Sequence, residues 1–154
     1  MSKRYFPAFV DSKDRRVVVA GGGRVAGRRI RTLKMFEFEV TVVAPELTEE
    51  LAAMAEKGEF RFVQEKFQPE MAEDAGMVLA CTDDRDLNRR TGEYCRSRGI
   101  AVNVCDAREE STFWFPAVAV NDQLTVGLVG SGDDHEETKR AAAGLREIVK
   151  RKAY

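Results

Sequence analysis

The sequence predicts an α/β fold, a parallel sheet with helices on both faces, followed by a β-hairpin and a terminal helix. Three observations predict it. Strands alternate with helical stretches over residues 1–112. Those strands are nearly continuous apolar runs, the pattern of strands buried on both faces. From Phe113 the alternation gives way to two neighbouring strands with a short connection. The chain therefore divides into a sheet-forming domain, 1–112, and a hairpin with its helix, 113–154.

Arg16-Val17-Val18-Val19-Ala20 is a β-branched run ending at Gly21-Gly22-Gly23. Val25 to Phe36 then carries Val25, Ile30, Leu33 and Met35/Phe36 at helical spacing, which makes strand, tight turn and helix. Glu39-Val40-Thr41-Val42-Val43-Ala44 is the second strand, stopped by Pro45, and the three elements close a βαβ unit within about 30 residues. Thr48 caps the next helix, whose first turn holds Glu49 and Glu50 and whose end falls near Gly58. Phe60 to Val63 alternates as a short strand, Pro69 to Glu73 starts a helix, and Met77 to Cys81 is a buried strand with the exit Thr82-Asp83-Asp84. A helix from Asp84 to Arg98, with Leu87, Thr91 and Tyr94/Cys95 on one side, is closed by Gly99, and Ile100 to Cys105 is the next strand. Ala117–Val120 and Leu124–Val129, joined by Asn121-Asp122-Gln123, form an antiparallel hairpin, and a helix runs from about His135 to Lys152.

Composition narrows the function classes. Lys and Arg total 25 against 26 Asp and Glu, without the basic excess of a general nucleic-acid binder. No apolar run approaches the roughly 20 residues that cross a bilayer, and Met1 to Pro7 has no signal-peptide core. A cytoplasmic protein is expected, with neither nucleic acid nor membrane as partner. Cys81, Cys95 and Cys105 are an odd number at wide spacings, matching neither a disulfide framework nor a zinc knuckle, so they read as reduced thiols, Cys81 and Cys105 as buried ones. His135 is the single histidine, and nothing near it builds a catalytic triad.

The glycines carry the functional signal. Gly21 allows the sharp reversal after the strand, Gly23 lets the backbone approach a pyrophosphate, and Ala26 stands where the third glycine permits close helix packing. The helix amides then face the anion. Set inside a complete βαβ unit, the pattern reads as a Rossmann-type dinucleotide site rather than an unliganded tight turn. Glu46 follows the second strand about 25 residues past the first glycine, near where an acid meets the ribose hydroxyls. No basic residue there favours a 2′-phosphate, so NAD is preferred over NADP, although Glu46 also suits the start of the following helix.

Further landmarks follow in order: Tyr5-Phe6-Pro7-Ala8-Phe9-Val10, Val17 to Ala26, Val40 to Leu47, Cys81-Thr82-Asp83-Asp84 with Leu87-Asn88, Val102-Asn103-Val104-Cys105-Asp106, and Phe113-Trp114-Phe115-Pro116-Ala117. Together they make the chain resemble the precorrin-2 dehydrogenases, the NAD-binding part of sirohaem synthases, some of which are also sirohydrochlorin ferrochelatases. The resemblance implies that Asp106 is the residue tied to dehydrogenation and, in bifunctional members, to metal insertion. It also implies cofactor contacts at Arg24, Val25, Pro45 and Glu46, a precorrin-2 substrate, and a homodimer formed through the hairpin.

The residues themselves leave alternatives beside these roles. Asp106 closes a strand at the carboxyl edge of a parallel sheet, where its carboxylate can take a proton from the macrocycle as hydride leaves for NAD, or it caps the turn Ala107-Arg108-Glu109. Thr82 is the ligand-facing residue of its exit, with Asp83 or Asp84 capping the next helix. Phe113-Trp114-Phe115 borders a flat tetrapyrrole or, preferably, fills core or a subunit contact.

Two departures from the family matter. Where members run through a Ser/Thr-Gly-Gly turn and a Ser-Pro step, this chain reads Val129-Gly130-Ser131-Gly132-Asp133-Asp134-His135-Glu136-Glu137. The acid cluster here reads as charges that suit the N-terminus of the last helix rather than, with His135, as a metal site of Asp133, Asp134, His135 and Glu137, and no resident metal is expected. Many relatives also continue into a helical lobe where this sequence stops at Tyr154, which weighs most against the ferrochelatase step. The expected function is NAD-dependent oxidation of precorrin-2 to sirohydrochlorin. The competing readings are an NAD(H)- or tetrapyrrole-binding module without catalysis, and metal insertion alone.

Overall fold

Val17, Val18, Val19 and Ala20 are all fully buried in β1 (Arg16–Ala20), so the strand has no polar side. In the computed structural model, which describes residues 5–132 and 134–151, β1 is the centre of a five-stranded parallel sheet. With β2 (Glu39–Val43), β3 (Arg61–Val63), β4 (Met77–Ala80) and β5 (Ala101–Val104), the order is β3-β2-β1-β4-β5. The chain builds outward on one flank of β1 and then crosses to the other. That reversal makes the carboxyl ends of β1 and β4 the topological switch point, the place where ligands of open α/β sheets collect. The register Ala20↔Val43, Ala20↔Ala80 and Ala80↔Val104 brings the strand exits level there.

Right-handed crossovers on opposite flanks of β1 place α1 (Arg24–Leu33) and α3 (Arg85–Ser97) on opposite faces. Val18, Ala20, Val78, Ala80, Val102 and Val104 pack with Leu87 and Cys95 of α3 and with Phe67 and Ala72. The alternate residues Val17, Val19, Val42 and Leu79 are equally buried on the other side. There α1 buries Ala26, Ile30 and Leu33, and Gly27 faces Leu51 of α2 (Glu49–Glu56).

Local chemistry sets the ends. Thr48 Oγ1 accepts from Leu51 N at 3.4 Å, and Asp84 Oδ1 accepts from Leu87 N at 3.0 Å, so Asp84 rather than Asp83 caps α3. At the far end of α3, Gly99 takes φ +69° and Ile100 N donates to Cys95 O, which puts Ile100 in the cap instead of the strand. α1 stops at Leu33 and not at Phe36, because Met35 and Phe36 N–H turn to the carbonyls of Thr32 and Leu33 and tighten the last turn. Pro69–Ala72 is a single 3-10 turn rather than a helix start, since the chain has rejoined the sheet by Gly76, whose N–H donates to Arg16 O.

The residues divide into two compact units, Phe9–Phe113 and the described parts of Met1–Ala8 and Trp114–Tyr154. In the second, β6 (Ala117–Val120) and β7 (Thr125–Leu128) form the antiparallel hairpin, and Asn121 Oδ1 closes the turn by accepting from Gln123 N and Leu124 N. Asn121 Nδ2 donates to Val149 O at 2.7 Å and Arg146 Nε to Val118 O at 3.2 Å, tying α4 (His135–Arg151) to the hairpin. Trp114 stacks on Tyr5 with ring centroids 3.8 Å apart, a packing role for the central residue of the aromatic triplet. Asp134 caps α4, accepting from Glu137 N at 2.8 Å, while Asp133 lies outside the described residues. Among the described residues no cluster of three or more potential metal ligands occurs, and no helix is long and apolar enough to cross a membrane.

Candidate functional site

The glycine turn is clamped on two sides and open on the third. Gly21 has φ +114° and donates to Val43 O, and a Cβ there would lie 2.5 Å from the Cys81 carbonyl oxygen. A Cβ on Gly22 would lie 2.2 Å from the Glu46 carbonyl oxygen, and Gly22 O accepts from Thr48 N. The turn is thereby pressed against the exits of both β4 and β2. At Gly23 a Cβ would meet nothing within 4 Å.

α1 opens at Gly23 with no side-chain cap and no acid in its first turn. α2 and α3, by contrast, have Thr48 and Asp84 as caps and acids behind them. The first amides of α1, from Arg24 and Val25 onward, are left for an external anion beside an open Gly23. A dinucleotide pyrophosphate fits this donor set, with the glycine backbone leaving room for its approach. Pro45 and Glu46 are exposed at the exit of β2, next to the turn, and Arg24 lines a shallow depression with Arg28, Arg31 and Glu50.

The neighbouring exits of β4 and β5 carry a continuous polar chain. Asn88, in the second turn of α3 and only 1% exposed, accepts at Oδ1 from Thr82 N (3.1 Å) and Thr82 Oγ1 (2.6 Å). Its Nδ2 donates to Thr82 O (2.9 Å) and to Asp106 Oδ2 (3.0 Å). Every donor and acceptor of the amide is used, which is what burial of an asparagine requires. Asp106 Oδ1 accepts from Arg85 Nη1, and Arg85 Nη2 donates to Glu110. The hydrogen bond to Glu110, before the pull of Asp106, raises the guanidinium's pKa.

Asp106 is thus held by both oxygens while its side chain stays 39% exposed at the carboxyl edge. The turn Arg108–Glu110 has no side-chain cap, so the carboxylate is directed to α3 and not to that turn. The hydroxyl of Thr82 is committed to Asn88. Asn88 and Arg85 were not singled out as site residues by sequence reasoning. Their i, i+3 spacing on one helix face, just after a strand exit, was the available signal. Cys105 is only partly buried, against the expectation of a core residue, because it stands at the open end of β5.

A family model described as "Putative NAD(P)-binding" matches residues 8–117, an interval that takes in the glycine turn, both exits and Asp106. The chain belongs to this family. Among curated members of the wider set, it is 35% identical over 144 residues to the "Probable multifunctional siroheme biosynthesis protein HemA" of Ruminiclostridium josui, covering 93% of this chain and 28% of that protein. It is 38% identical over 128 residues to siroheme synthase 1 of Pectobacterium atrosepticum, covering 83% of this chain and 27% of that protein. The chain therefore spans less than a third of the length of these relatives. Among solved structures, SirC, a precorrin-2 dehydrogenase, superposes with a TM-score of 0.76 at 25% identity, covering 94% of this chain and 71% of that one. The family model spans the sheet-forming residues, and the superposition on SirC carries the likeness of fold over nearly the whole chain.

Proposed function

We propose that the chain oxidises precorrin-2 to sirohydrochlorin with NAD⁺. The observation that carries the proposal is the position of Asp106: an exposed carboxylate, fixed by Asn88 and Arg85, one strand from the switch point at which α1 offers uncapped amides. The similarity to SirC and to siroheme synthases supplies the substrate class. NAD⁺ supplies the hydride acceptor.

The remaining work falls to this chain's own residues. Gly21 and Gly23 shape the turn, the amides at Arg24 and Val25 hold the pyrophosphate, and Pro45 with Glu46 borders the adenosine ribose, Glu46 accepting from its hydroxyls. Thr82 lines the exit of β4 and holds Asn88 in register. Asp106 retains unused lone pairs on both oxygens, and it takes the proton that the macrocycle loses along with its hydride. Arg85 and Asn88 keep that carboxylate aimed and balance its charge. Holding the acceptor carboxylate in one geometry is what converts proximity into rate.

The hairpin supports a homodimer. β6 and β7 pair only with each other among the described residues, and Val120, Leu124 and Val129 are exposed apolar side chains at its edges, a surface that a second copy would cover. The site of action is the cytoplasm.

Anaerobic incubation of the purified chain with precorrin-2 and NAD⁺ tests the function. NADH and the sirohydrochlorin spectrum should appear together. Good NAD⁺ binding without turnover would overturn the catalytic reading in favour of a binding module.

A further inference from the structure

Two cysteines that the proposed chemistry does not use end neighbouring strands at this same edge. Ala80 pairs with Val104, Cys105 N donates to Ala80 O at 3.0 Å, and Cys81 and Cys105 follow as the next step of the register. The register sets the two thiols side by side, each the largest influence on the other's acidity, while Cys105 Sγ donates to Asn103 Oδ1 at 3.6 Å. Adjacent strands lie about 4.8 Å apart, within the Cα separations that a disulfide spans. By strand alternation both side chains fall on the α1 face of the sheet, where the charge of the Arg29 guanidinium of α1 favours the Cys105 thiolate. The Cys81 carbonyl is also the surface against which Gly21 packs, and Asp106 follows Cys105 directly.

We infer that Cys81 and Cys105 form an oxidisable dithiol that closes to a disulfide under hydroperoxide and shuts the dinucleotide crevice beside it. The gating half of this inference rests on the cofactor reading above; the bridge itself does not.

The two sulfurs are chemically unequal. The neighbouring Cys81 thiol, with Arg29 adding to it, holds Cys105 below the usual thiol range, and the same pairing, with burial, pushes Cys81 well above it. Cys105 is also the more open of the two. Its thiolate attacks the hydroperoxide, so that an S–O bond forms, the O–O bond breaks and an alcohol or water leaves with the thiol's proton. The Cys81 sulfur then attacks the sulfenic sulfur; the S–S bond forms, the S–O bond breaks and water leaves with the Cys81 proton. Two thiols lose two electrons to one hydroperoxide. Cys105 is only partly buried, and an accessible bridge is the kind that reductants reopen readily. Cys95, fully buried under α3 and away from this edge, takes no part.

The test treats the full chain with hydrogen peroxide, blocks free thiols with iodoacetamide and maps the peptides by mass spectrometry, while NAD⁺ affinity is measured on the same sample. A Cys81–Cys105 linked peptide should appear, with affinity falling about tenfold or more, and dithiothreitol should reverse both. Cys95→Ala should bridge as the parent does, and Cys81→Ser should leave Cys105 as a sulfenic acid without a bridge. Cys81 and Cys105 both still alkylated after peroxide, or Cys105 oxidised singly in the parent chain, would overturn the inference. A bridge that leaves affinity unchanged would overturn the gating. Failure of the reduced chain to bind NAD⁺ would count against the cofactor reading instead, with the linked peptide still reporting on the bridge.

Discussion

Asn88 Nδ2 donates to Asp106 Oδ2 at 3.0 Å from an almost wholly buried amide whose other contacts all go to Thr82. One side chain therefore couples the exit of β4 to the carboxylate at the exit of β5. Asn88→Ala leaves Thr82 N–H and one Asp106 oxygen without this partner, and stability should fall by about 1–3 kcal/mol in urea unfolding. With its aim loosened, Asp106 should lose about 10- to 100-fold in kcat, while the KM for NAD⁺ stays within about twofold. An unchanged kcat would remove Asn88 from the positioning role.

Identical substitutions at two glycines should separate folding from binding. Gly21→Ala forces a side chain to φ +114° and into the Cys81 carbonyl, so thermal unfolding should shift down by the equivalent of about 1–3 kcal/mol or more. Gly23→Ala meets no atom of the protein within 4 Å and should unfold at the parent temperature. It should nevertheless bind NAD⁺ about tenfold or more weakly, because the new methyl occupies the pyrophosphate's approach. Equal affinities for Gly23→Ala and the parent would argue against the turn as the phosphate site.

Burial pushes the Cys95 thiol from 9.0 up to about 11. A folded state that keeps the proton while the unfolded chain releases it is stabilised fully below pH 9 and loses that advantage as pH climbs toward 11. Urea midpoints measured across this window should fall, and Cys95→Ala should flatten the decline whatever its absolute stability. A parallel decline in both proteins would mean that other groups dominate the alkaline loss.

Much of the fold was legible because its signals are local. A β-branched run before three glycines, Thr48 ahead of Glu49 and Glu50, and Gly99 after the α3 pattern each fix a strand end, a cap or a turn by short-range chemistry. The glycine turn stood out locally as a motif, whereas Asp106, two residues past the end of β5, was singled out by the family resemblance and not by any local pattern. Asn88, Arg85 and the thiol pair were not legible. Their meaning arises from the β4–β5 register, which sets Cys81 beside Cys105 and Thr82 near Asp106 across more than twenty residues of chain, and no periodicity within either strand encodes that register. The segment from Pro69 departs from the expected helix for a related reason: Pro69 is a good helix opener, but only a 3-10 turn to Ala72 fits before Gly76 joins the sheet.

The central claim is that Asp106 moves a proton at a cofactor held by the glycine turn. The most direct measurement compares the parent and Asp106→Ala under anaerobic conditions, following NADH and sirohydrochlorin formation from precorrin-2 together with NAD⁺ affinity on the same preparations. The account predicts equimolar NADH and sirohydrochlorin from the parent, and a variant with NAD⁺ affinity within about twofold and turnover reduced about 10²- to 10⁴-fold. Turnover in Asp106→Ala at the parent rate would contradict it.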